Sequence, residues 1–195
     1  MENSPSRQRV RVVLAITGML TLAACSGTGS SPVTDPFATL SSAYDPASVW
    51  HDTKDGIRTV IHGNPFEVSQ ALADQAILAS LRMPAWHQKA QFFPYLTGGK
   101  PRGARLVLVF NPTDRISHED ACGDLGKIGV GPNAGVTRIH ASFCASERAL
   151  SYIEGRVAAS EPKDPAFSSL MAQTIDQLLP IRNFDNDGSC KRPAC

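Results

Sequence analysis

Beyond Leu22 the 195-residue chain has no apolar run approaching 18 residues, so no membrane-spanning helix is expected in its body. Charge is equally unconcentrated. The 19 Lys and Arg residues are matched by 18 Asp and Glu, with no run of five like charges. Nucleic-acid binding needs a basic face or stripe, so no nucleic-acid partner is expected. No internal repeat of 20 to 50 residues is visible. No His-Glu-x-x-His helix and no Gly-x-Ser-x-Gly turn occurs, which removes the commonest zinc-peptidase and serine-hydrolase signatures. The glycine loops "LTGGKPRGA" and "GKIGVGPNAG" lack the consecutive backbone donors of a phosphate cradle, because Pro101 and Pro132 each remove an N–H and both loops lead into strands.

What is present begins at the front. Arg7, Arg9 and Arg11 precede a mostly apolar, uncharged run from Val12 to Leu22, and the run ends in Leu22-Ala23-Ala24-Cys25. A spanning helix needs about 20 apolar residues. A basic start, an apolar stretch of about 7 to 15 residues and a small-residue site instead define a secretory signal peptide, here residues 1–24. Arg7 and Arg9 are separated by Gln8, so the general secretory route is expected rather than twin-arginine export.

The Leu22–Cys25 pattern resembles the lipobox of bacterial lipoproteins. The resemblance implies a diacylglyceryl thioether on Cys25 and cleavage between Ala24 and Cys25. Two or more acyl chains hold a protein durably, where one holds it only marginally. Ser26, rather than aspartate, follows the cysteine, which directs the expectation to the outer membrane, facing the periplasm. The partners expected are the membrane, through the lipid on Cys25, and another envelope protein or the cell wall. "VIHGNPF" resembles segments of small uncharacterised bacterial lipoproteins, a resemblance that carries no activity with it.

Removal of Arg7, Arg9, Arg11 and Glu2 with the signal peptide leaves the mature chain near neutral and of single-domain length. Residues 25–55 are rich in Ser, Thr, Pro and Gly and read as a lipidated tether. Phe37, Leu40, Tyr44, Val49 and Trp50 predict that its second half docks on the domain.

Residues 56–182 read as one α+β domain, a compact sandwich with about three helices on a small mixed sheet of three or four strands. "GIRTVIH" predicts a strand over 56–62. Asn64 as N-cap, Pro65 and Glu67 predict a helix starting there, with Val68, Leu72, Ala76 and Ala79 as its apolar stripe. "QFFPY" predicts a short edge strand. "LVLVF", residues 106–110, predicts a strand buried on both faces, and "VTRIHASFC", 136–144, another strand. Ser146 is expected to cap a helix running to about Val157. Asp164 and Pro165 open a last helix with Phe167, Met171, Ile175 and Leu178 on its core face. Residues 183–195 read as a flexible tail.

With Cys25 assigned to lipid, Cys122, Cys144, Cys190 and Cys195 remain, and an exported chain favours disulfides. Three pairings are open. The favoured one joins Cys122 to Cys144 and Cys190 to Cys195; the first bridge closes a loop of about 23 residues and contributes on the order of 3 kcal/mol.

Candidate chemistry is sparse. His118, Glu119 and Asp120 cluster beside Cys122, and His140 lies on a strand. A Cys/His nucleophilic pair would need a free thiol, which the disulfide removes. His51, His62 and His87 are scattered. Asn183, Asp185, Asp187 and Gly188 resemble the first half of a calcium loop, but Ala194 stands where the bidentate glutamate belongs. No cofactor, metal site or catalytic set is assigned. Two functions follow: a lipid-anchored binding or scaffold module, or an envelope hydrolase using His118, Glu119, Asp120 and His140.

Overall fold

The computed structural model describes residues 31–35, 38–87, 90–95 and 103–183. Its chain order is β1 (Val33–Thr34), β2 (Thr39–Leu40), α1 (Pro46–Thr53), β3 (Ile57–His62), α2 (Gln70–Ser80), β4 (Phe92–Pro94), β5 (Ala104–Phe110), α3 (His118–Cys122), β6 (Thr137–Ala145), β7 (Arg148–Val157) and α4 (Pro165–Leu178). Among the described residues the fold mixes four α-helices with one mixed sheet, so it is broadly α+β. The sheet has seven strands, not three or four, in the order β1-β7-β6-β5-β3-β4, with β2 also pairing β7.

β5, β6 and β7 form an antiparallel meander. β3 is parallel to both β4 and β5, and α2 lies in the connection that such parallel neighbours require. β5 is the centre. Leu106 to Phe110 have no exposed area, as suits a strand covered on both faces. Leu106, Leu108 and Phe110 face a large core shared with α1, α2 and α4, whereas Val107 and Val109 face a smaller cluster with Cys122, Ile128, Cys144 and Ala149. α4 supplies Phe167, Leu170, Met171, Ile175 and Leu178 to the larger core. Asp164 caps it by accepting from the Ala166 N–H.

Two sequence expectations about individual elements are corrected. Residues 148–157 form β7, not a helix. Ser146 has φ +55° in the turn between β6 and β7, and alternate residues Ala149, Ser151, Ile153 and Val157 are buried, the period of a strand. Gly155 continues that inward row. A Cβ there would lie 2.9 Å from Leu170 Cδ1, so the glycine admits α4 close to the sheet.

The second correction is the start of α2, which begins at Gln70, not Asn64. Asn64 instead closes a local turn, Oδ1 accepting from the Phe66 N–H and Nδ2 donating to the Val68 carbonyl. Phe66 is buried edge-on against Phe167, ring centroids 4.8 Å apart, which pulls the chain off a helical path. Consequently Val68 and Leu72 are 38% and 58% exposed, and Ala73, Ile77 and Ser80 are the buried positions of α2.

The segment before Gly56 packs on the sheet and the core. β1 and β2 pair with β7, and Tyr44 and Val49 are buried in the core. The Tyr44 hydroxyl donates to the Pro180 carbonyl at 2.8 Å, and Asn183 Nδ2 donates to the carbonyls of Ser41 and Tyr44. The folded unit therefore takes in residues from Val33 onward. Ala24, Cys25, Phe37, Cys190, Cys195 and the calcium-like residues Asp185, Asp187 and Gly188 lie outside the described residues. Among the described residues, no helix is long and apolar enough to cross a membrane.

Candidate functional site

The face of the sheet away from α1, α2 and α4 is covered by the segment between β5 and β6. That segment leaves β5 at Asn111, a residue that tolerates the left-handed φ of +49° found there. Asn111 Oδ1 then accepts from the Arg138 N–H. α3 is capped by Ser117, whose hydroxyl oxygen accepts from the Asp120 N–H. Cys122 and Cys144 form a disulfide that ties α3 to β6. Beside it lies Arg105, only 1% exposed, donating to the carbonyls of Cys122 and Ser146.

Strand register determines what meets on this face. His140 stands opposite Glu154, Ser142 opposite Tyr152, and Arg138 opposite Arg156. His140 is 2% exposed. Its Nδ1 is 3.4 Å from Glu154 Oε1, and its Nε2 is 3.1 Å from Ser142 Oγ. With the proton on Nδ1 facing the carboxylate, Nε2 accepts from the serine hydroxyl. His118 of α3 stacks flat on Tyr152, with centroids 4.3 Å apart and planes 1° from parallel, and its Nε2 lies 2.7 Å from Glu119 Oε1. Tyr152 also lies 5.9 Å from the His140 ring, the planes 11° apart.

The structure thus brings His118, Glu119 and His140 into one neighbourhood, joined through Tyr152. Asp120 belongs to the α3 cap, its carboxylate accepting from the Ser117 hydroxyl at 2.8 Å. Sequence reading missed Ser142, Tyr152 and Glu154. The alternation in "LSYIEGRV" is the signal that would have found the last two, because it sets Tyr152 and Glu154 on one face with His140 opposite.

The other histidines are structural or peripheral. His62 Nε2 lies 2.8 Å from the Ile128 carbonyl, and His51 pairs with Asp52 in solvent. His87 is buried and lies 2.7 Å from Thr53 Oγ1, which itself donates to the Val49 carbonyl. His87 Nε2 therefore carries the proton and donates to Thr53. Among the described residues no three His, Cys, Asp or Glu side chains are placed to share a metal ion.

Burial holds both His87 and His140 below the ordinary imidazole pKa. Thr53 opposes that effect at His87 and Glu154 opposes it at His140, while His118 adds to it. A depressed folded-state pKa means that the unfolded chain takes up the proton first. The contribution is therefore complete above about pH 6.5 and is lost as pH falls toward the folded values, each tenfold difference in proton affinity being worth about 1.4 kcal/mol. Urea unfolding is expected to show a lower midpoint at pH 5.5 than at pH 7.5, with His87→Asn flattening the difference. Equal midpoints in the parent protein would contradict this.

Two openings border the site. One, of about 480 Å³, lies between β1, the 112–116 segment and the ends of β6 and β7, with Arg115, Arg138, Arg156, His140 and Glu154 among its lining. The other, of about 240 Å³, is lined by His118, Glu119, Arg148 and Tyr152 with part of β2. Ser142 lines neither and has no exposed area.

Fold and site together define a one-layer helical cover on a mixed seven-stranded sheet, with an open charged groove on the opposite face. No protein-family model matches the chain, and no curated protein matches it. Among solved structures it is similar to a PelC dodecamer variant from Paraburkholderia phytofirmans, at 10% sequence identity and a TM-score of 0.37, over 75% of this chain and 96% of that one.

Proposed function

We propose that the chain is a lipid-anchored envelope protein, held through Cys25 at the outer membrane and facing the periplasm, whose domain acts as a binding module. The observation that carries the binding reading is the contrast on the polar sheet face. An open groove of about 480 Å³ presents charged side chains to solvent, while the hydroxyl best placed to be a nucleophile is sealed. Anchoring is supported by the Leu22-Ala23-Ala24-Cys25 pattern. The Cys122–Cys144 bridge agrees with an oxidising compartment. With β1 starting at Val33, the seven residues between Cys25 and that strand span at most about 25 Å. The domain then works close to the membrane surface, where a partner in the same envelope layer is within reach.

A second reading, an envelope hydrolase, draws on the Ser142–His140–Glu154 relay, whose order of hydroxyl, imidazole and carboxylate is that of an activated nucleophile. Its burial weighs against substrate access. Ser142→Ala separates the two. A folded variant that keeps the cellular phenotype of the parent supports the binding module, and a folded variant that loses it supports the hydrolase. For the anchor, metabolic labelling with a clickable fatty acid is expected to mark the parent and not Cys25→Ser.

A further inference from the structure

We infer that the larger groove binds a ligand carrying a doubly charged oxyanion, a phosphate monoester in the simplest case, held between Arg138 and Arg156. The inference rests on the binding-module reading and names the ligand chemistry of that groove. Arg138 and Arg156 stand directly opposite each other on adjacent antiparallel strands, an arrangement in which like charges destabilise the sheet. Arg115 enters the same groove from the covering segment. Among the described residues no carboxylate lies within 4.0 Å of any of the three. Arg138 has one long bond, 3.3 Å, to the Pro112 carbonyl.

The acids of the groove are engaged elsewhere. Glu154 meets His140, Asp35 accepts from the Glu154 N–H at 3.3 Å, and Asp114 accepts from the Thr113 hydroxyl. Asp35 follows β1 and Asp114 belongs to the covering segment, while Glu154 sits on β7 two residues from Arg156; all three can accept from hydroxyl groups of a ligand but would repel its charge. The arginine pair is then the place for the charge. Guanidinium groups carried at paired positions of adjacent strands offer several N–H donors, which suit the oxygens of a phosphate better than a single acceptor. A cross-strand pair of like charges costs the empty protein stability, and an oxyanion between them removes that cost.

The test uses the full-length protein in low-salt buffer with glucose 6-phosphate as probe and glucose as its neutral control. Glucose 6-phosphate is expected to raise the thermal midpoint and to shift the amide resonances of Arg138, His140 and Arg156, and glucose to do neither. Arg138→Gln and Arg156→Gln should each weaken binding roughly tenfold or more, the usual loss for one charge-assisted contact. Arg82→Gln, far from the groove, should change nothing. Without ligand, Arg156→Gln should melt higher than the parent. No shift with glucose 6-phosphate, equal shifts with glucose, undiminished binding in both groove variants, or a lower unliganded midpoint in Arg156→Gln would each overturn the inference. Groove shifts with glucose alone would overturn it while leaving the binding module standing. The choice between binding module and hydrolase is tested separately, by the Ser142→Ala result above.

Discussion

Phe167→Ala is expected to lower the unfolding free energy by about 3–5 kcal/mol, the usual cost of truncating a buried aromatic ring. The ring has no exposed area. It packs edge-on to Phe66 at 4.8 Å and lies 6.2 Å from Phe110, so it joins α4, the turn before α2 and the central strand β5. Few neighbours can move to fill the space, because each belongs to a different element. Leu72→Ala is the paired control. Leu72 is 58% exposed on α2, so its truncation should change stability by less than about 0.5 kcal/mol. Urea unfolding followed by tryptophan fluorescence and by far-ultraviolet dichroism gives both values. Similar losses for the two variants would mean that α2 presents Leu72 to the core after all.

The second large effect concerns the covered polar face. Replacing Cys122 and Cys144 together by alanine should cost about 3 kcal/mol by the chain-entropy relation, since the bridge spans 22 positions of sequence. Against a usual total of about 5–15 kcal/mol, that is a major fraction. The loss should be local as well as global. The bridge holds α3 to β6, and Arg105 donates to the Cys122 carbonyl beneath it. Amide exchange over residues 117–123 should therefore accelerate in the double variant while α4 keeps its protection. Uniform acceleration in both would show that α3 and α4 open as one unit.

Much of this architecture is readable in the residues, for reasons that differ by element. α4 has an N-cap, a proline at its first position and apolar residues at helical spacing. Each signal points the same way, and the helix forms as they say. β5 is apolar throughout because it is covered on both faces. β7 defeats the same reasoning. Its inward row contains Ser151 and Gly155, which look like surface or breaker residues. Ser151 is buried because its hydroxyl donates to the Leu178 carbonyl at 2.6 Å, and Gly155 because α4 needs the room. Meanwhile Ala149, Tyr152, Ile153 and Val157 satisfy a helical spacing by coincidence, and Ser146 stands where an N-cap would. Tertiary contacts decide the outcome, and none of them is local in sequence.

The site suffers from that one misreading. His118, Glu119 and His140 are visible as candidates because they are rare polar residue types in suggestive places. Their link, Tyr152, and the groove residues Glu154 and Arg156 all lie on β7, so no reading of it as a helix can bring them to His140. Arg138 and Arg156 come together only through the β6–β7 register. The start of α2 fails differently: Asn64, Pro65 and Glu67 form a sound capping signal, but burial of Phe66 against Phe167 outweighs it.

Under the proposed anchoring, the amino terminus sets where the domain works. The most direct measurement is the mass of the N-terminal peptide from protein isolated out of the membranes of its native cell. A peptide beginning at Cys25 and carrying a diacylglyceryl thioether is the expected result. An unmodified Cys25, or a peptide beginning upstream of it, would contradict the anchored module.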